Sequence, residues 1–205
     1  MSYLSCLENV TNYQETKKIL EDKKLIVKEY NDYNLFLVKY NKSTCDMNDL
    51  DIRKCRGLIM EQNTNKLICV PPIKSEKIDN FLKEIELNNI TIEEFPDGTM
   101  INVFKYNGAI FISTRSSIGA NCKWYSDKTF NILFKESINL DKFGFLEENM
   151  CLSFVLQHPE NIIVTKYSKP SVTLVKIVKI IDNYNVNVLN NNLQRLQSAK
   201  QSKRS

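Results

Sequence analysis

The sequence is poor in the residues that mark several classes of protein. It has only five glycines, five prolines and one histidine among 205 residues. So few glycines and prolines exclude a collagen-like or linker-like chain. No C-x-x-C pair accompanies His158, which argues against a structural zinc site. No apolar run approaches the ~18 residues of a membrane-spanning helix, so we expect none.

The first residues and the cysteines predict a compartment. Residues 1–14 contain neither the basic region nor the apolar core of a secretory signal, so we expect a cytoplasmic protein. The cysteines are not clustered, and in that compartment reduced thiols are favoured over three disulfides. The six are Cys6, Cys45, Cys55, Cys69, Cys122 and Cys151.

The remaining composition is typical of a globular domain. Hydrophobic residues make up 42% of the chain, charged residues 25% and aromatic residues 10%, which excludes wholesale disorder. The net charge of +4 is unevenly placed, because residues 1–100 carry 14 basic and 17 acidic side chains whereas residues 101–205 carry 14 basic and 7 acidic. Residues 161–205 alone carry eight basic side chains against Asp182. A basic half favours contact with phosphate or nucleic acid, and the alternative is a solvated basic face.

Local patterns predict an α+β domain built on antiparallel sheet. Asn107-Gly108 between residues 99–106 and 109–114 predicts a type I′ hairpin, because both central residues need positive φ. Further strands are predicted at 25–30, 34–40, 57–62, 66–70, 151–157, 161–167 and 171–181. Helices are predicted after Thr11 or Asn12, at 75–87 and at 127–136. We interpret residues 1–189 as one domain and residues 190–205 as a basic C-terminal tail.

An ordered series of short motifs runs through roughly residues 35–185. Arg56-Gly57 opens a hairpin, and a predicted helix follows. Next come EEFPDGTMINVF (93–104), FISTRSS (111–117) and LSFVLQHPENIIVTKY (152–167). The series resembles the nucleotidyltransferase domain of ATP-dependent RNA ligases of the phage and fungal tRNA-ligase type. The resemblance implies an antiparallel-sheet-based, ATP-grasp-like ligase fold.

Two positions depart from that family's pattern. In the family, a lysine two residues before Asp-Gly attacks the α-phosphate of ATP, but Phe95 stands here and has no lone pair to attack with. The family's glutamate ahead of Pro-Glu-Asn contacts ribose or a metal, and Val155 at this position offers no oxygen. We interpret Phe95 and Val155 as degenerate positions and expect both to be core side chains filling the former pocket. The family's two downstream motifs do not follow, so the resemblance predicts a truncated domain.

What the resemblance leaves is a partial nucleotide-binding surface. Its predicted members are Arg56, Gly57, Asp97, Gly98 and Arg115, with Lys74 as a candidate phosphate contact. Arginine suits this role because its planar fork grips phosphate with two hydrogen bonds. Purely structural interpretations stay open. Pro-Asp-Gly forms turns whether or not a ligand is present, and surface arginines commonly pair with carboxylates. His158 is interpreted as a polar rim residue, and no metal ligand is assigned.

Three functions remain open. The first is a catalytically inactive ligase-like domain that binds a nucleotide, binds RNA or single-stranded nucleic acid weakly and salt-sensitively, or binds a protein partner, with no cofactor and no membrane. The second is an active ATP-dependent RNA ligase, using ATP and Mg²⁺, with Lys105 or Lys74 as a displaced nucleophile. The third is an unrelated α+β interaction domain. Lys176 and Lys179 fall by order on the strand after Pro-Glu-Asn and receive no phosphate-binding role.

Overall fold

The computed structural model describes residues 2–76, 78, 93–124 and 126–189. Its strands are β1 (Ile26–Tyr30), β2 (Leu35–Lys39), β3 (Arg56–Glu61), β4 (Leu67–Cys69), β5 (Thr99–Tyr106), β6 (Ala109–Ser113), β7 (Met150–Gln157), β8 (Ser171–Ile180) and β9 (Val186–Leu189). They form a four-stranded sheet in the order β1-β2-β3-β4 and a five-stranded sheet in the order β6-β5-β7-β8-β9. Every pairing is antiparallel, so the predicted α+β class on antiparallel sheet is confirmed.

The helices begin at residues whose side chains cap them. They are α1 (Tyr13–Asp22), α2 (Leu50–Lys54) and α3 (Phe130–Ser137). The Asn12 side chain accepts a hydrogen bond from the Gln14 backbone N–H at 2.8 Å, so of the two predicted starts of α1 the structure has Asn12. Helix α3 begins later than predicted because Thr129 caps it. The short α2 was not predicted, and none of the described helices is long and apolar enough to cross a membrane.

The predicted hairpin between β5 and β6 is confirmed in its backbone angles. Asn107 has φ +48° and Gly108 has φ +78°, the two positive values that a type I′ turn needs. The strands predicted at 25–30 and 34–40 pair as β1–β2, and those predicted at 57–62 and 66–70 pair as β3–β4. The predicted helix at 75–87 lies almost wholly outside the described residues, and the predicted tail at 190–205 lies entirely outside them.

The predicted strand at 161–167 is wrong, because this segment is an exposed loop between β7 and β8. Ile162 and Ile163 are about half exposed, and Val164 is 81% exposed. Both edges of β7 are already paired, with β5 on one side and β8 on the other, so the segment that follows β7 cannot pair with it as a further strand. The apolar character of this segment therefore does not report a strand.

Two apolar layers lie on the two faces of the five-stranded sheet. Between the sheets, Leu37 and Ile59 belong to the same buried cluster as Phe104 and Val178. On the opposite face, α3 packs against β7 through a second buried cluster that contains Leu133, Phe134, Leu152 and Phe154. Burying each side chain of this size stabilises the fold by about 1.5–3 kcal/mol. The side chains on both faces of the sheet therefore serve mainly to stabilise the fold.

The described cysteines are free thiols, and two of them meet between the sheets. Cys69 Sγ on β4 lies 3.1 Å from Cys151 Sγ on β7. Burial raises the pKa of the Cys69 thiol well above its ordinary value, because the apolar interior disfavours a thiolate. These thiols therefore serve as packing groups.

Candidate functional site

A cavity of about 590 Å³ opens between the two sheets, near the first residues of β3 and β5. This volume falls within the range of small-molecule sites and is sufficient for a nucleotide. The described residues that line it are Arg56, Pro72, Ile73, Ser75, Glu93, Glu94, Phe95, Met100, Thr173, Leu174, Val175 and Lys176. The cavity thus combines apolar walls with two cations, two carboxylates and one aromatic ring.

The two cations of the cavity have no protein partner among the described residues. Neither the Arg56 guanidinium nor the Lys176 ammonium makes a side-chain hydrogen bond or an ion pair there. By contrast Lys179, three residues further along β8, pairs with Glu147 at 3.7 Å. Unpartnered cations on a concave surface leave their hydrogen bonds available to an anionic ligand.

A bulge in β8 places Lys176 on the face that looks toward the other sheet. Ser153 of β7 pairs with Lys176, whereas Val155 pairs with Thr173. The partners are thus two residues apart on β7 and three residues apart on β8. The additional residue keeps both Thr173 and Lys176 beside side chains of one face. Burial lowers the pKa of the half-buried Lys176 ammonium, because desolvation disfavours its charge.

Phe95 does not fill a core, which corrects the sequence expectation. Its side chain is 77% exposed and lies at the cavity wall, on a segment that has no regular structure before β5 begins. Val155 is 2% exposed, as expected for a core residue. The two degenerate positions therefore differ: one presents an aromatic ring to the cavity, and the other lies in the sheet.

The Asp97-Gly98 pair is occupied by structural contacts. One carboxylate oxygen of Asp97 accepts hydrogen bonds from the backbone N–H groups of Thr165 at 2.7 Å and Val164 at 3.0 Å. The Tyr167 hydroxyl donates to the Asp97 carbonyl oxygen at 2.8 Å. These N–H groups stabilise the charged form and lower the pKa of Asp97. Asp97 therefore ties the β7–β8 loop to the start of β5 and does not line the cavity.

Replacing Asp97 with alanine is expected to free this loop. Without the carboxylate, two loop N–H groups lose their acceptor, and trypsin should cut after the exposed Lys166 several-fold faster, as followed by mass spectrometry. The Asp97→Asn control keeps an acceptor oxygen and should stay close to wild type. Because the folded-state pKa is lowered, the tether is complete at neutral pH and is lost as the pH falls through that lowered pKa. Equal cleavage of Asp97→Ala and wild type would contradict the tether.

The Arg-Gly and Thr-Arg motifs meet where the two sheets touch. Gly57 has φ +89°, and a Cβ there would lie 2.8 Å from Arg115 Cα. Arg115 donates from Nη2 to the Tyr40 carbonyl oxygen at 2.9 Å and stacks over the Tyr40 ring at 4.4 Å. Arg115 thus joins the end of β6 to the end of β2 and is not among the cavity's lining residues, in contrast to Arg56.

The lysines predicted as displaced nucleophiles do not line the cavity. Lys74 Nζ donates to the Ser75 carbonyl oxygen at 3.1 Å, although its chain neighbours Ile73 and Ser75 are lining residues. Lys105 pairs with Ile110 near the hairpin turn, at the opposite end of β5 from Gly98. Of the described lysines, only Lys176 lines the cavity, and sequence order alone did not assign it there.

His158 is 3% exposed, so its interpretation as a rim residue is wrong. Its Nδ1 accepts from the Glu160 backbone N–H at 3.1 Å, which leaves Nε2 to donate to Glu136 at 3.1 Å. The Lys128 ammonium lies 2.9 Å from Glu136 and 2.6 Å from Glu160. These side chains could in principle ligate a metal, but Lys128 already supplies the cation, and Glu136 belongs to α3 on the opposite face from the cavity.

Comparison with known proteins identifies the fold. No family model matches the chain. It is 26% identical over 179 residues to a protein of Autographa californica nuclear polyhedrosis virus that is provisionally named bifunctional polynucleotide kinase/RNA ligase, covering 75% of this chain and 25% of that protein. A solved structure, provisionally named ATP-dependent DNA ligase, from Aquifex aeolicus superposes with a TM-score of 0.54 at 19% identity, covering 91% of this chain and 47% of that one.

The chain is an RNA ligase-like domain with a nucleotidyltransferase-type α+β fold. The resemblance predicted from the ordered motifs is confirmed, and the hypothesis of an unrelated α+β domain is wrong. The chain spans about a quarter of the length of the viral relative and about half of the solved structure.

Proposed function

We propose that this ligase-like domain binds a nucleotide reversibly in the cavity between its sheets, without forming the covalent lysyl intermediate of RNA ligases. One observation carries the proposal: Phe95 lines the cavity at the position where the resemblance places the lysine. A phenyl ring cannot attack phosphorus, but it can stack on a base, and such stacking contributes roughly 1–3 kcal/mol. Phenylalanine at this position cannot attack the α-phosphate of ATP, but it retains a stacking contact with the base.

The charges around the cavity support the same proposal. Arg56 and Lys176 provide unpartnered cations for a phosphate, and the exposed Glu93 and Glu94 provide acceptors for the amino groups of a base. A nucleotide carries both a phosphate for the cations and a base with amino groups for the carboxylates. Inorganic phosphate alone would use only the cationic part.

Incubation with ATP labelled at its α-phosphate, with Mg²⁺, tests the proposal. We expect equilibrium dialysis to detect bound ATP, and a denaturing gel to show no labelled protein. Phe95→Lys restores an amine at the family position, yet we expect no adduct because Val155 still supplies no oxygen to ribose or metal. A labelled band in the wild type that disappears in Lys176→Gln would instead establish an active ligase with a displaced nucleophile.

Nucleic-acid binding is a second function that a separate observation favours. The provisional names of both similar proteins refer to nucleic-acid substrates, and the exposed β7–β8 loop carries Lys166 and Lys169. We propose weak, salt-sensitive binding to RNA or single-stranded DNA, in which lysines contact phosphates and provide little sequence preference. A protein partner for the same surface is the alternative if nucleic acid does not bind.

A further inference from the structure

Beside the cavity, the position where the resemblance implies a carboxylate that contacts ribose or a metal has no oxygen to offer a divalent cation. Val155 stands at that position, is buried, and has no oxygen. Its ladder partner on β8 is Thr173, and Lys176 follows on the same face beyond the bulge; both line the cavity. A hard divalent cation prefers oxygen ligands, and an adjacent ammonium repels it.

The half-buried ammonium of Lys176 loses hydration, and no contact with the described residues compensates for that loss. A buried ammonium without a partner destabilises the fold, and Lys176 has neither a hydrogen bond nor an ion pair among the described residues. Its β-strand neighbours on the same face are Ser153 and the buried Asn102, whose Nδ2 also has no partner. An anion in the cavity would supply the missing interaction to the ammonium.

We propose that Lys176 replaces the metal, so that the cavity binds the phosphate of a nucleotide without a divalent cation. Lys176 contacts the phosphate from β8, and Arg56 contacts it from β3. Glu93 and Glu94 are the other charged groups facing the cavity, and they lie on the segment leading to Phe95, where the base binds. This inference rests on the proposed nucleotide binding and specifies how the phosphate is held.

Equilibrium binding of ATP to the full chain, in EDTA and in MgCl₂, tests the inference. We expect ATP to bind as tightly in EDTA as in MgCl₂. Lys176→Gln should weaken binding in EDTA about tenfold or more, because a hydrogen bond to a charged group is lost. Lys176→Arg should retain most of the affinity. A parallel arm with an oligoribonucleotide carrying a 5′-phosphate or a 5′-hydroxyl shows whether the phosphate belongs to a free nucleotide or to a strand end.

Two controls separate this role from a structural one. Lys179→Gln changes a lysine on the same strand that already pairs with Glu147, and should leave ATP binding unchanged. Lys176→Met should raise the melting temperature while it weakens binding, because it removes an unpaired buried charge. Binding that requires Mg²⁺, or that survives Lys176→Gln, would overturn the inference and leave nucleotide binding intact. Absence of ATP binding in both buffers would overturn the proposed function as well.

Discussion

Replacing Gly98 with alanine is expected to lower the free energy of unfolding by about 3–5 kcal/mol. Gly98 has φ +151°, and a Cβ there would lie 2.3 Å from the Leu156 carbonyl oxygen and 2.7 Å from Val155 Cγ1. The oxygen belongs to the backbone of the central strand β7, so it cannot rotate away as a flexible side chain could. Calorimetry should show a melting temperature lower by about 10 °C for a chain of this size.

Gly108→Ala is the matched control for this prediction. Gly108 also has positive φ, at +78°, but no atom lies within 4 Å of an added Cβ. Only backbone strain of roughly 1–2 kcal/mol should appear, with a melting temperature lower by about 4 °C. If Gly98→Ala and Gly108→Ala destabilise equally, the contact with β7 is not the reason for glycine at residue 98.

Raising the salt concentration from 50 to 200 mM is expected to weaken the binding of single-stranded RNA about 50-fold, for contacts to about four phosphates. The physical reason is the release of counterions from each phosphate that a lysine or arginine neutralises. Fluorescence anisotropy with a labelled oligoribonucleotide measures this slope, and several unrelated sequences should give similar affinities because phosphate contacts carry little sequence information.

Variants show which surface carries that affinity. Lys166→Gln and Lys169→Gln remove exposed lysines of the β7–β8 loop, and each should reduce the magnitude of the log–log salt slope by about 0.7. Deletion of residues 190–205 should weaken binding further. Lys18→Gln removes an exposed lysine from α1 in the acidic half of the chain, and should have no effect. Binding that is absent at low salt, or insensitive to salt, would favour a protein partner.

The parts of the fold that sequence predicted are those with a local cause. Asn12 caps α1 through its own side chain, and Asn107-Gly108 turns because both residues tolerate positive φ. The segment 161–167 has a strand-like composition, but its structure depends on Asp97, about 65 residues earlier, accepting two of its N–H groups. A contact between distant residues leaves no periodic pattern in the sequence.

The difference between local causes and contacts of distant residues also explains which site residues the sequence predicted. Arg56, which the motif order assigned to a nucleotide, lines the cavity and opens a strand that the hairpin signal already predicted. Arg115 and Asp97 keep their motif positions but bind protein groups, Tyr40 and the β7–β8 loop, which only tertiary structure reveals. Lys176 was missed because motif order placed it on the strand after Pro-Glu-Asn, and nothing in the sequence marks the bulge that brings Thr173 and Lys176 to one face.

The bulge at Val175 divides β8 into two parts that can vary independently. Residues 177–180 are fixed by pairing with β9 and by the core, whereas residues 171–174 continue into the exposed loop. An insertion or deletion of one residue at this point would reverse the facing of residues 171–174 only, so Val172 and Leu174 would turn away from the second buried cluster. The packing beyond Lys176 would be retained. In evolutionary terms, one inserted residue exchanges the wall that faces the cavity, and only the apolar contacts of residues 172 and 174 then have to be rebuilt.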